Sequence, residues 1–331
     1  MSATAVIQIR NPTPFYFGKI SSRGDFVKST SGTKVIALID NWIAQGMDML
    51  IAAPGWKEYY DNAGVVDFLL IGTRKRHAIC GSLVPSGDAS TRRFPFIAAT
   101  LFEVDNSLYF LPLSPYVLER HVNHQRALAH HAAKTHDAVE ALSALHEIPL
   151  EPEFPKSLLA KNFEQFLSST SIAGLASMLS LGHGGVTVRQ IILAIGYLLE
   201  PVLTTYAAPP HKGLALPLPR DSARLVHVKA LWLQLISVFL SRAEFDLSAF
   251  SCVHYGRPKL IVTFNGTTPS TFHALFEEQA AVDCFIDVTE AAWVDEYSQQ
   301  NPATSKLSTY LEHGDLSLHQ MLETFRQGFA A

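Results

Sequence analysis

Residues 15–26 read FYFGKISSRGDF, and this stretch contains much of the fold information in the chain. Its three leading aromatic residues have high β-propensity and predict a short strand. Gly24 can adopt a positive φ, so we expect a sharp turn that places Arg23 and Asp25 on one side. The stretch therefore predicts a strand followed by a charged turn.

A second block, residues 81–95, reads GSLVPSGDASTRRFP. Together the two blocks resemble the opening signature of the TagF family, accessory proteins encoded with bacterial type VI secretion systems. The family pattern is an aromatic, Gly-Lys-Leu-Pro-x-Arg-Gly-Asp-Phe, a helix with a Trp, and later Gly-x-Leu-x-Pro-Ser-x-Asp, Gly-Arg and Phe-Pro. Trp42 supplies the tryptophan, whereas Ser21 replaces a proline and Thr91 stands where the family usually has glycine. The resemblance extends from residue 15 to about residue 110.

The resemblance implies a cytosolic, non-enzymatic protein that represses the assembly of the type VI secretion system after translation. It also implies direct contact with the forkhead-associated scaffold protein of that system, the Fha component. Such repression needs only a surface that holds a partner in an assembly-incompetent state, and it requires no cofactor. Two alternatives stay open: a metal-dependent hydrolase, and a structural accessory subunit of the secretion apparatus.

Charged residues of the two blocks are the candidate partner-binding residues, because both loops can lie at one edge of the sheet. We expect this surface to contain Lys19, Arg23, Asp25, Arg92 and Arg93. The alternative is that these charges tie the two loops together, with an Arg23–Asp25 or Asp88–Arg92 ion pair as part of the architecture.

Composition excludes several classes of protein. The 331 residues are 48% hydrophobic, enough for a large core, and the formal net charge of −4 argues against a nucleic-acid-binding surface. Cys80, Cys252 and Cys284 lie far apart among apolar residues, which predicts buried thiols in a reducing compartment. No targeting segment is visible, and the apolar stretches 186–203 and 228–240 are interrupted or too short to span a membrane. We therefore expect a cytoplasmic protein without membrane insertion; the sequence does not predict its oligomeric state.

Strand and helix signals alternate irregularly and predict an α+β fold with a mixed, largely antiparallel sheet flanked by helices. Strands are expected at 66–71, 77–84 and 94–104, and a long helix is expected at 116–146 after Pro112 and Pro115. We expect a loose lead-in at 1–13, a first domain at 14–148 and a second α+β half at 149–331. This second half should begin with helices and continue with a hairpin, a strand and two terminal helices.

A histidine-rich helix and a glycine-rich segment are the remaining candidates for chemistry. Imidazole ligands suit transition metals, but no His-Glu-x-x-His motif or fixed carboxylate accompanies the histidines. The histidines are His121, His124, His130, His131 and His136. Residues 182–185 read GHGG, lack the Gly-Lys-Ser/Thr of a phosphate loop, and are interpreted as a helix connector.

Overall fold

The computed structural model describes residues 6–72, 75–204, 210–240, 244–297 and 302–329. The described strands form one ten-stranded sheet in the order β10-β7-β9-β8-β3-β4-β5-β1-β2, with β6 paired to β1. The strands are β1 Val6–Gly18, β2 Val27–Lys28, β3 Val66–Gly72, β4 His77–Val84, β5 Phe96–Val104, β6 Glu153–Pro155, β7 Gly213–Pro217, β8 Asp246–His254, β9 Arg257–Thr263 and β10 Phe285–Asp287. Every described strand pair is antiparallel except β7 with β10. The predicted α+β class and the largely antiparallel sheet are confirmed.

Helices cover both faces of this sheet. They are α1 Thr33–Ile51, α2 Trp56–Asn62, α3 Ser107–Lys134, α4 Val139–His146, α5 Lys156–Ser169, α6 Ile172–His183, α7 Val188–Thr204, α8 Ser222–Leu240, α9 Pro269–Phe276, α10 Glu278–Cys284, α11 Val294–Tyr297, α12 Pro302–Leu311 and α13 Leu318–Phe329. Helices α1, α2, α9 and α10 pack on one face, and a larger cluster that includes α3 and α5–α8 packs on the other. Alternate residues of the strands enter opposite cores, as the two-residue period of a strand requires.

Strands from both halves of the chain belong to the same sheet. Strand β3 pairs with β4 on one side and with β8 on the other. Trp42 of α1 packs on Phe250 and Phe272, and its indole nitrogen donates to the Thr268 carbonyl over 2.8 Å. The later strands therefore extend the first sheet and do not build a separate one. The division at residues 148 and 149 stays a prediction.

The lead-in predicted as loose is wrong for the described residues 6–13, which lie in β1. Ile7 and Ile9 alternate inward, β6 pairs with this end of the strand, and a bulge follows where Asn11 has a φ of 51°. The sequence pattern was an alternation of apolar and polar residues, which is typical of a half-buried strand. Residues 1–5 of the lead-in lie outside the described part of the chain.

Other boundaries differ for identifiable reasons. Pro112 and Pro115 lie inside α3, where burial of Phe110 and Leu113 outweighs the lost hydrogen bonds. This helix ends at Lys134, and α4 follows separately.

In the later half, Glu277 separates helix α9 from helix α10. The carboxylate of Glu277 accepts from the backbone amides of Gln279 and Ala280 and so caps α10. Strand β7 was not predicted from the sequence. Its five residues are all buried, so they show no alternation of apolar and polar residues, and they lie in a proline-rich segment. Part of that segment is outside the described residues. The described C-terminal residues form three helices, where two were expected.

Helix α8 is long and apolar enough to cross a membrane by length and composition. Half of its most apolar window is buried inside the fold, and Trp232 donates to the Pro217 carbonyl over 2.7 Å. Helices α6 and α7 pass the same test only as a pair, which is bent by 92°. These features are those of core helices.

Candidate functional site

Two loops that carry the sequence blocks lie side by side at one end of the sheet. The first loop is residues 19–26, after β1, and the second loop is residues 85–93, between β4 and β5. The backbone amide of Ala89 donates to the Arg23 carbonyl over 2.8 Å, and the guanidinium of Arg92 donates to the Gly24 carbonyl over 2.7 Å. The two loops therefore form one unit, as the sequence predicted.

A buried ion pair joins the loops. The ammonium of Lys19 lies 2.9 Å from Asp88 Oδ2, and the two side chains are 9% and 0% exposed. Asp88 also accepts from the amide and hydroxyl of Ser90 and from the amide and Nε of Arg92. These donors, Lys19 first, hold the pKa of Asp88 well below its usual range, although burial opposes the shift.

Glycine is required at Gly18, before the first loop. Its φ is 135°, and a Cβ there would lie 2.1 Å from the Pro95 carbonyl oxygen. The Gly-Lys pair of the first block therefore brings the chain against β5 and directs Lys19 to Asp88. The positive φ predicted at Gly24 is wrong, because the turn is held by hydrogen bonds and needs no left-handed residue there.

Thr91 has a φ of 65°, a conformation that favours glycine. At this position the second block has threonine where the family usually has glycine, and the positive φ explains why glycine suits the position. The chain keeps the loop conformation without the residue that adopts it most easily. Asp88 accepts from residues on both sides of Thr91, which holds the backbone in place.

The predicted partner-binding residues separate into buried and exposed groups. Lys19 is buried, and its ammonium is used by Asp88, so we assign it to the fold. Arg93 makes a two-pronged contact with Asp61, over 2.7 and 2.6 Å, and its guanidinium lies 5.8 Å from the ring centre of Trp56. The Asp88–Arg92 ion pair is present, with the Arg92 side chain 64% exposed.

Arg23 and Asp25 are exposed at the tip of the first loop. Within the described residues the Arg23 guanidinium makes no hydrogen bond or ion pair, and the carboxylate of Asp25 accepts only from the adjacent Phe26 amide. Phe26 is 42% exposed, and its ring stacks on Phe17 at a centroid distance of 5.3 Å. The tip thus presents a cation, an anion and half of an aromatic ring on a fixed base.

A groove of about 510 Å³ lies beside the loops. Sequence reasoning missed Tyr60 and Asp61 of α2 and Lys134 of α3 as members of this site, and it named His130 only as one residue of the histidine-rich helix. The hydroxyl of Tyr60 lies 2.9 Å from both the amide and the carbonyl of Ser86, and burial raises the pKa of this tyrosine. These residues carry no local signal because only the tertiary fold brings α2 and the end of α3 to the loops.

The histidines of α3 do not converge. His121 is buried between the Thr100 hydroxyl and the Pro149 carbonyl, each 2.9 Å from a ring nitrogen, and burial lowers its pKa. His124 and His131 are exposed. In the described ranges no three His, Cys, Asp or Glu residues are grouped as a metal would require.

Two further sequence interpretations are settled by burial and position. Residues 184–187 connect α6 to α7, so the prediction of a connector holds for Gly184 and Gly185, whereas Gly182 and His183 lie in the last turn of α6. Cys80 and Cys252 are buried, and burial raises the pKa of Cys252 to about 12, so both are unreactive. Cys284 is only partly buried.

Comparison with known proteins places this site in a family domain. A family model described as the TagF N-terminal domain, type VI secretion system-associated, matches residues 15–148. A crystal structure of PA0076 from Pseudomonas aeruginosa PAO1 is 25% identical, with a TM-score of 0.33. That match covers 43% of this chain and 64% of the solved chain, so this chain spans less than two thirds of it. No curated protein matches the chain significantly.

Proposed function

Because residues 15–148 form a TagF N-terminal domain, we propose that this protein is a post-translational negative regulator of type VI secretion system assembly. It acts in the bacterial cytoplasm by binding the forkhead-associated scaffold protein of the system, and it carries out no reaction. The family description supports the link to type VI secretion, and the packing of α8 in the core supports the soluble location. A partner surface that sequesters the scaffold is sufficient for repression.

The exposed tip of the first loop carries the interaction. One observation supports this assignment: the Arg23 guanidinium makes no hydrogen bond or ion pair within the described residues, while the Lys19–Asp88 pair fixes the loop beneath it. A loop backbone that is already held in place loses little entropy on binding. Arginine and aromatic residues are enriched at the centres of interfaces, and Phe26 is an exposed aromatic residue of the same loop as Arg23.

The direct test is the affinity of the purified chain for the purified forkhead-associated scaffold of the same bacterium. We expect Arg23→Ala to weaken binding by about 1–3 kcal/mol, the range for an interface hot spot. The melting temperature should not change, because exposed substitutions alter stability by no more than about 0.5 kcal/mol. Arg120→Ala is the matched control, since that side chain is 92% exposed on α3. If Arg23→Ala bound the scaffold as tightly as the wild type does, the loop tip would not be part of the interface.

The regulatory role is tested in cells. Deletion of the gene should raise secretion and overproduction should lower it, with unchanged transcripts of the secretion components. Loss of secretion on deletion would instead indicate a structural subunit of the apparatus. The double variant His124→Gln, His131→Gln should repress normally; stoichiometric zinc together with lost repression in this variant would indicate a hydrolase.

A further inference from the structure

A second cavity, of about 390 Å³, lies between α3 and α8 and is floored by β3, β4 and β8. Its side walls are apolar over much of their area, with polar exceptions that include Asn123 and Arg126 of α3 and Lys229 of α8. The apolar parts are formed by Leu118 and Val122 of α3 and by Leu225, Val226 and Leu233 of α8. Residues 118, 122 and 126, and residues 225, 229 and 233, each lie one turn apart, so both helices direct one face into the cavity. The volume is within the range of about 300–1,000 Å³ typical of small-molecule sites.

The polar groups of the cavity are unequally paired. Asp67, buried on β3, accepts from the Ser82 hydroxyl over 2.7 Å and from the Arg126 guanidinium over 2.6 Å. Lys229 of α8 also lines the cavity, but its ammonium has no hydrogen-bond or ion-pair partner among the described residues. Burial lowers the pKa of Lys229, although the charge of Asp67 opposes this shift.

An unpaired cation in an apolar cavity is costly, whereas methionine or leucine at this position would pack without that cost. A ligand that brings a negative charge would remove the cost and gain a charge-assisted hydrogen bond. The charge should be single. Asp67 and Glu119 also line the cavity and repel a dianion about twice as strongly as a monoanion, while Arg126 is already occupied by Asp67.

We propose that this cavity binds a small monocarboxylate with an apolar body. The carboxylate pairs with the ammonium of Lys229, and the apolar body lies between the Leu118–Val122 face of α3 and the Leu225–Leu233 face of α8. Helix α3 lies within the TagF N-terminal domain and α8 lies outside it, so the ligand connects the two parts of the chain. This site goes beyond the proposed partner surface and does not depend on it.

Calorimetric titration of the full chain with decanoate tests the proposal, with decanol and decylamine as the neutral and cationic comparisons. We expect saturable binding of one decanoate per chain, and binding of decanol and decylamine weaker by at least about tenfold, the loss of one charge-assisted contact. Lys229→Met should weaken decanoate by a similar factor and leave decanol unchanged, whereas Lys229→Arg should retain binding. Lys161→Met on the exposed surface of α5 is the matched control and should bind decanoate as the wild type does.

Three results would overturn the proposal. They are no decanoate binding to the wild type, equal binding of decanoate and decanol, and undiminished decanoate binding by Lys229→Met. The first two need no variant, so the proposal can fail even if Lys229→Met does not fold.

Discussion

Asp88 and Asp67 are both buried carboxylates that accept from a basic side chain, but their surroundings differ. Asp88 in the second loop accepts from five donors, supplied by Lys19, Ser90 and Arg92. Asp67 accepts from Ser82 and Arg126, and the nearby Lys229 has no partner among the described residues. In the cluster around Asp88 each charged group has a partner within the chain, whereas in the cluster around Asp67 the ammonium of Lys229 has no partner among the described residues.

This difference separates architecture from binding. A completed network satisfies its charges inside the fold and rigidifies the segment that it joins, which here is the base of the exposed loop tip. In an incomplete network one charged group has no hydrogen-bond partner within the chain, so a bound ligand is needed to supply that partner. The same reasoning therefore assigns Lys19 to the fold and Lys229 to a ligand.

The largest expected effect comes from the same substitution made in each cluster. Lys19→Met leaves Asp88 buried without its closest basic partner, and we expect the melting temperature to fall by about 5–10 °C. Lys229→Met removes a desolvated charge that has no partner, so its melting temperature should stay equal or rise. Thermal melts followed by circular dichroism measure both. An equal fall of the melting temperature in the two variants would show that Lys229 is paired in solution. The clusters around Asp88 and Asp67 would then not differ.

Acid should remove the contribution of Asp88. Its folded pKa lies below the unfolded value of about 3.9, so the stabilisation is fully present above that pH and is lost as the pH falls toward the folded pKa. Urea unfolding of wild type and Asp88→Asn should therefore differ most at pH 5–7, and the difference should shrink steadily as the pH falls below about 4 toward the folded pKa. A difference that stays constant over this range would mean that the carboxylate charge does not stabilise the loops.

The smallest effect concerns Arg126, whose side chain is 42% exposed in its pair with Asp67. Solvent screens such a pair, so Arg126→Gln should destabilise the protein by only about 1 kcal/mol. In the Arg126→Gln variant the ammonium of Lys229 can turn to Asp67. Lys229→Met should therefore lower the free energy of unfolding more in the Arg126→Gln background than in the wild type. The double-mutant cycle in urea measures this coupling, expected at about 0.5–1 kcal/mol. Additive effects would show that Lys229 does not reach Asp67.

Local sequence signals were reliable where one segment decides its own structure. The predicted strands over 66–71 and 77–84 agree with β3 and β4 to within one residue. The helix expected to carry Trp42 is α1, and Trp42 is buried in it. The hairpin of β8 and β9 was also predicted, and Tyr255 and Gly256 at its turn both have positive φ. These elements depend on periodicity and turn chemistry, which are properties of neighbouring residues.

The candidate sites depended on contacts between distant residues. Sequence reasoning grouped Lys19 with Arg23 because both are charged and close in the chain, but only Lys19 meets Asp88, 69 positions away. The unpaired Lys229 carried no signal, since a lysine within an apolar helix segment gives no indication of which carboxylates it approaches. Its surroundings come from α3 and β3, which are remote in sequence.

The sequence by itself determined the family blocks and the order of most strands and helices. Tertiary structure decided that strands of both halves share one sheet, which of the charged residues are buried, and that an unpaired lysine lines a cavity beside α3 and α8. The physical reason is the range of the forces involved. Propensity and periodicity act between near neighbours in the chain, whereas the free energy of a buried charge is set by whichever groups the fold brings to within a few ångströms of it.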